Sequence, residues 1–286
     1  MRKFLVVGCG GSGGATLRFL IDQLRADFRS RGWNQLPAAW QFVHVDVPVE
    51  PDSGPAPLLD IRRMGGTYVS LSSPTNSYKS TSLNVEARLV QNGGDLSSLL
   101  GWEPRNRESA NSIPVTNGAG QYRSVGRMLT LARLEQIQAA FIQAQSKVVA
   151  PDAWDGVPDP EEHGADVVIP IVVGSMAGGS GASMFLDVCR ILGQLPGIQP
   201  QNLGVFLYTA DVFGQLPPEA RKNVEGNAMA AIPEIFAAIS RLSEPEDLKT
   251  LRALGLTVNA NKQGQPAFGR ILPIGRRIGG AGAFFG

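Results

Sequence analysis

The stretch Gly174-Ser175-Met176-Ala177-Gly178-Gly179-Ser180-Gly181-Ala182-Ser183 constrains the fold of this chain more than any other. An apolar, mostly β-branched run, Val167-Val168-Ile169-Pro170-Ile171-Val172-Val173, leads into it, and a segment of helical character, Met184 to Leu192, leads out. Strand, glycine-rich turn and helix in that order make an anion site. Glycines let the backbone approach a phosphate, and the unpaired N–H groups and dipole of a helix start favour negative charge. A second such unit opens the chain. Lys3 to Val7 reads as a buried strand, Gly8-Cys9-Gly10-Gly11-Ser12-Gly13-Gly14 as its loop, and Ala15 to Arg29 as a helix with Leu17, Leu20, Ile21, Leu24 and Phe28 on one side. The two loops need one common explanation.

The rest of the chain alternates strands and helices. Gln41 to Val47 is a second strand with Asp46 at its carboxyl end, residues 49–57 a loop, and Thr67 to Leu71 a short third strand. Residues 72–112 are polar and predict an irregular or partly helical excursion. A third glycine loop, Asn117-Gly118-Ala119-Gly120-Gln121-Tyr122-Arg123, precedes a long amphipathic helix from Ser124 to Val149. After a Pro/Asp/Glu loop and the central unit come a strand from Leu203 to Thr209, ending in Ala210-Asp211, and a helix from Pro217 to Leu242 that Pro233 should kink or divide. Residues 244–265 read as a charged hairpin or small insertion, Phe268 to Ile274 as a last strand, and Gly279 to Gly286 as a glycine- and alanine-rich tail. The pattern predicts an α/β fold, a mostly parallel Rossmann-like sheet with helices on both faces, in one domain over 1–286. Loops at the carboxyl ends of such strands meet along one edge, where open α/β sheets bind ligands.

Bulk properties narrow the function classes. A formal net charge of +1 supplies no general attraction to nucleic acid, so no nucleic-acid partner is expected. No apolar run approaches the roughly 18–20 residues of a membrane span. Two cysteines, Cys9 and Cys189, without a secretory leader predict a cytoplasmic setting. Neither lies at metal-ligand spacing from His44 or His163, which argues against zinc. Cys9 has no His or Lys beside it and reads as a small packed residue.

Gly8 to Gly13 satisfies G-x-G-x-x-G, a pattern that suits dinucleotides and mononucleotides alike. Asp46 is able to take a ribose hydroxyl, but it lies well beyond the usual spacing of roughly 20 residues. On the residues alone, Asp46 is equally a turn residue, Asp211 a cap, and Asn227 a solvated helix position. Arg123 and Arg127, beside the third loop, read as surface charge in preference to phosphate ligands.

The order of the pieces adds a resemblance. Ala177-Gly178-Gly179-Ser180-Gly181-Ala182 resembles the signature loop of the tubulin/FtsZ superfamily, G-G-G-T-G-[ST]-G, with Ser180 keeping the hydroxyl of the usual Thr. Gly8 to Gly13 resembles the first loop, G-x-G-G-x-G, with Ala15 where an Asn is common. The chain is most similar to divergent bacterial members, in which an A-G-G-[ST]-G loop and an N-A-x-A-A segment, here Asn227 to Ala231, recur. The resemblance implies a tubulin/FtsZ GTPase-domain fold binding GTP or GDP with Mg2+. Phosphates would be held by Gly8, Cys9, Gly10, Gly11, Ser12 and Gly13, and by Ser175, Ala177, Gly178, Gly179, Ser180 and Gly181. Asp46 would act on the metal through water. Gly118, Ala119, Gly120 and Gln121 would face the terminal phosphate, Asp211 the ribose and Asn227 the guanine.

It further implies self-association into filaments or oligomers, with carboxylates of the next subunit orienting the attacking water. Their family pattern, roughly N-x-D-x-x-D, does not occur in 1–286, and Glu244, Glu246 and Asp247 precede the last strand instead of following it. The expectation is therefore a nucleotide-binding half without the C-terminal activation domain, in which binding is supported and hydrolysis waits on a loop from elsewhere. Two rivals stand beside it: an NAD(P)- or flavin-dependent oxidoreductase built on the first loop and Asp46, and a non-catalytic assembly module.

Overall fold

In the computed structural model, strands β1 (Lys3–Cys9) and β4 (Val168–Ser175) are buried along most of their lengths. A strand covered on both faces needs no polar alternation, which is why both read as continuous apolar runs. They lie side by side and parallel, with Val6 opposite Ile171 and Gly8 opposite Val173. The structure describes residues 1–276 apart from 57, 105 and 165, and the backbone of 277–278 and 283–284. β2 (Trp40–Asp46) and β3 (Thr67–Ser70) extend the sheet beyond β1, while β5 (Gly204–Tyr208) and β6 (Arg270–Ile274) extend it beyond β4. The order is β3-β2-β1-β4-β5-β6, and every pairing in it is parallel. Succession reverses between β1 and β4, and a crevice opens at such a point above the carboxyl ends of the strands. A small antiparallel pair, β7 (Arg277–Ile278) with β8 (Ala283–Phe284), follows.

Helices cover the two faces unequally. On one face α1 (Gly10–Ser30) sets Leu17 and Ile21 against Val6, Phe42 and Val173. The other face carries α2 (Tyr78–Gln91), α3 (Ser97–Leu100), α4 (Arg107–Asn111), α5 (Arg123–Ala132), α6 (Leu134–Val149), α7 (Gly181–Gln194), α8 (Val224–Ile239) and α9 (Glu244–Ala253). Here Phe141, Phe185, Leu129 and Leu134 are fully enclosed in the larger core.

Several boundaries differ from those expected. α1 starts at Gly10, so most of the first glycine stretch is wound into the helix's opening turn. The expected helix from Ser124 to Val149 breaks at Arg133 (φ −112°, ψ 19°) into α5, which packs on α2 and α7, and α6, which packs on β2. Pro233 does not divide α8. The carbonyl deprived of its helical donor belongs to Met229, a residue on the solvent-facing side of the helix, where the loss of the bond costs least. The first part of the expected 217–242 helix is instead a 3-10 turn, Pro218–Arg221. Residues 72–112 hold α2, α3 and α4, and Ser77 closes a capping box on α2. The expected hairpin or insertion at 244–265 contains α9, whose Leu248 and Leu251 are part of the core. The tail Gly279–Gly286 lies outside the described residues apart from the backbone of 283–284, as does Pro57.

Phe185→Ala should lower unfolding free energy by about 3–5 kcal/mol in chemical denaturation, because the side chain is fully buried between α7 and the sheet. Phe19→Ala, 56% exposed on α1, should stay within about 0.5 kcal/mol.

Candidate functional site

The carboxyl ends of β1, β2, β4 and β5 bring the predicted segments to one edge of the sheet. At the β1/β4 switch point the two glycine stretches touch through their backbones. Gly10 has φ +69°, and a β-carbon there would stand 2.5 Å from the Gly181 nitrogen. Only glycine meets both demands, the left-handed backbone and the close approach. The third stretch closes on the second in the same way: a β-carbon on Gly179 would lie 2.7 Å from Gln121 Cα and 2.8 Å from the Tyr122 nitrogen.

Three helices begin on these three stretches, α1 at Gly10, α5 at Arg123 and α7 at Gly181. Among the described helices of ten residues or more, these alone have neither a side-chain cap nor an acid in the first turn. α2 is capped by Ser77, and α6, α8 and α9 carry Glu135, Glu225 and Glu244 in their first turns. Each helix start leaves about four N–H groups without intrahelical partners. Three such starts on one crevice, with no protein carboxylate in their first turns, are suited to an anion. Gly178 has open space where a β-carbon would stand, and Gly11 has only Asp46 Oδ2 at 4.0 Å.

The side chains expected to touch a ligand are placed unevenly. Cys9 is fully buried, and burial pushes its thiol well up, as it does that of Cys189, so Cys9 offers only its backbone. Ser175 is also buried, and its Oγ accepts from the Ala177 nitrogen at 3.0 Å, shaping the turn. Asp46 is 4% exposed; its Oδ1 accepts from the Val47 nitrogen at 2.7 Å, and its Oδ2 stands 3.6 Å from His44 Nε2. Asp211 is exposed, accepting from Thr209 Oγ1 and, at 2.9 Å, from the Arg276 nitrogen. It thereby ties the loop after β5 to the end of β6.

Asn227 Nδ2 donates to the carbonyls of Gln121 and Ala177, both at 3.0 Å, so the second and third loops share one side chain. Gln121 is one of two non-glycine residues with positive φ among the described residues, at +62°, a conformation worth roughly 1–2 kcal/mol of strain. Its side chain is held at the start of α8, donating to the Ala220 carbonyl and accepting from the Asn223 nitrogen at 3.2 Å. Those bonds hold the strained residue in place.

Arg123 and Arg127 are not surface charges. Arg123 is 9% exposed, donates twice to the Ala182 carbonyl at 3.2 and 3.0 Å, and pairs with Glu234. Arg127 pairs with Asp187 at 3.2 Å, and the Trp102 ring lies 4.8 Å from Arg123 and 4.3 Å from Arg127. Burial pushes the Asp187 carboxyl up, against the pull of Arg127. Neither arginine is turned to the crevice as a free phosphate ligand; Arg123 braces the first turn of α7 and Arg127 its second.

Two residues of the site escaped the sequence reading. His44 is 1% exposed beneath the first loop, with Nε2 3.1 Å from the Gly10 carbonyl and Nδ1 without a partner among the described residues. Its imidazole fills the space that any side chain at Gly14 would need. The available signal was its position two residues before Asp46 on β2, which puts both on one face. Thr16 joins α1 to β5, bonding the Ser12 carbonyl at 2.9 Å and Tyr208 Oη at 2.9 Å. The largest cavity described, about 590 Å³, is elsewhere, at the amino-terminal edge of the sheet between Phe28, Trp33 and Trp40. It has no helix start in its lining, and the uncapped helix starts decide the location of the site.

Comparison with known families agrees with this geometry: the family model described as tubulin-like matches residues 5–276. The chain belongs to the tubulin-like family. No curated protein matches it. The match spans β1 to the end of β6, so all three glycine stretches of the tubulin-like sheet lie inside it. No helix among the described residues is long and apolar enough to cross a membrane.

The Asp211 clamp gives a pH dependence. The Thr209 hydroxyl and then the Arg276 N–H hold its carboxyl below the ordinary value of 3.8. A depressed acid stabilises the fold above its unfolded value and loses that contribution as pH falls through the folded one. Amide exchange at residues 275–276 should therefore be pH-insensitive in its protection above pH about 5 and lose protection below about 3.8, and Asp211→Asn should remove the transition.

Proposed function

We propose that this tubulin-like chain binds GTP or GDP with Mg2+ in the crevice between β1 and β4. The observation that carries the reading is the convergence of three uncapped helix starts, α1, α5 and α7, on the contact between Gly10 and Gly181. Backbone N–H groups of Gly10 to Ser12 and of Gly178 to Gly181 would take the phosphates. Gly118 to Gln121 would meet the terminal phosphate, since Gln121 already abuts Gly179. Asp46 suits a water-mediated magnesium contact: its Oδ2 lies under Gly11, and Mg2+ typically takes one or two carboxylates and completes its shell with phosphate and water. No group of three or more His, Cys, Asp or Glu among the described residues is placed to hold a metal by itself. This fits a metal that arrives with the nucleotide.

Asn227 would read the base with its Oδ1, because its Nδ2 is engaged by loop carbonyls. An acceptor there suits the N1–H and N2 amino donors of guanine, which adenine lacks at those positions. Asp211 would take the ribose. Positioning and charge neutralisation supply most of phosphoryl-transfer catalysis, so binding is separable from hydrolysis. Hydrolysis on assembly would need carboxylates from a neighbouring subunit, in a bacterial, cytoplasmic filament-forming protein.

Titration calorimetry with GTP, ATP and NAD in the presence of magnesium tests the reading. GTP should bind most tightly. Gly178→Val should weaken it roughly 10- to 100-fold without loss of stability, because the β-carbon it adds points into open space with no protein atom within 4 Å. Tight NAD binding without GTP binding, or a Gly178→Val variant that binds GTP normally, would overturn it.

A further inference from the structure

Helix α8 is apolar on two opposite sides. Ala228, Ala231, Ile235 and Ala238 face the core. Met229, Ile232, Phe236 and Ile239 face solvent, with Met229 69% and Phe236 66% exposed. A helix apolar all round is normally covered all round. The exposed residues fall at successive steps of 3, 4 and 3 along the chain, the spacing of a helix-pair seam. One turn before Met229 the same stripe carries Glu225, and just past the helix stand Arg241 and Leu242, the last 79% exposed. Neither Glu225 nor Arg241 has an ion pair among the described residues.

We propose that this face binds a second copy of the chain, α8 against α8 in antiparallel orientation about a two-fold axis. The stripe is nearly symmetric about the midpoint of Ile232 and Phe236. Antiparallel pairing sets Ile232 against the partner's Phe236 and Met229 against the partner's Ile239, and brings Glu225 within reach of the partner's Arg241, each contact occurring twice. Parallel pairing would instead oppose Glu225 to the partner's Glu225 and Arg241 to the partner's Arg241, so charge complementarity selects the antiparallel form. The surface exposed by the five apolar residues is about 600 Å² per copy, or about 1,200 Å² for a pair, at the lower end of specific interfaces. The dimer is accordingly weak and concentration-dependent. An isologous contact closes on itself, so it is distinct from any head-to-tail contact made through the nucleotide edge.

Sedimentation velocity on the full chain without nucleotide, from about 1 to 200 μM, tests the proposal within the micromolar range expected of so small an interface. The mass should double with concentration, and Phe236→Glu should abolish the doubling. Glu225→Arg and Arg241→Glu should each weaken the dimer roughly tenfold, and the two together should restore it. These exposed single-site changes leave the core intact, which circular dichroism and GTP calorimetry on the same samples verify independently of the dimer. A monomer at every concentration, a dimer that survives Phe236→Glu, or a double charge exchange that fails to recover association would overturn the antiparallel pair. So would stripe residues that partition onto anionic vesicles while the chain in solution stays monomeric.

Discussion

The contact of Gly10 with Gly181 is the constraint on which the rest of the edge depends. It exists because β1 and β4 are neighbours in the sheet although 158 residues separate Cys9, the end of one, from Val168, the start of the other; the pairing of Gly8 with Val173 fixes the height of both turns. With both turns at the same height, α1 and α7 leave in opposite directions to opposite faces, and their first N–H groups remain on the crevice. A side chain at either position would separate the turns, and the third loop, whose Gln121 packs on Gly179, would lose its seat.

Around that contact the protein spends polar side chains on holding backbone. Asn227 bridges two loops, Arg123 braces the start of α7, His44 supports Gly10, and Thr16 ties α1 to β5. None of these presents a charged head to the crevice. The anion site is therefore made mainly of main-chain donors, preorganised by side chains that point away from it.

Much of this was legible in the residues. Continuous apolar strands, glycine turns and amphipathic helices specify a parallel α/β sheet, because burial on both faces and the 3.6-residue period leave few alternatives. The order of the glycine stretches was equally readable, and it carries the resemblance that the tubulin-like family match bears out. What was hidden depends on long-range contacts. Nothing local at Arg123 tells that Glu234 and the Ala182 carbonyl await it, and nothing in the strand Trp40–Asp46 tells that His44 lies under Gly14. The break at Arg133 and the passage of α8 through Pro233 follow from which neighbour each turn packs on, and from solvent on the outer side of α8. Expectations for Asp46, Asp211 and Asn227 identified residues that do reach the edge, while their protein partners give each a structural duty as well.

Amide chemical-shift mapping on adding GTP and magnesium tests the central claim most directly. The account predicts the largest shifts at the first turns of α1, α5 and α7, from Gly10 to Ser12, at Arg123 and from Gly178 to Gly181. Shifts centred on the aromatic cavity of Phe28, Trp33 and Trp40 at the other end of the sheet, or none at all, would contradict it.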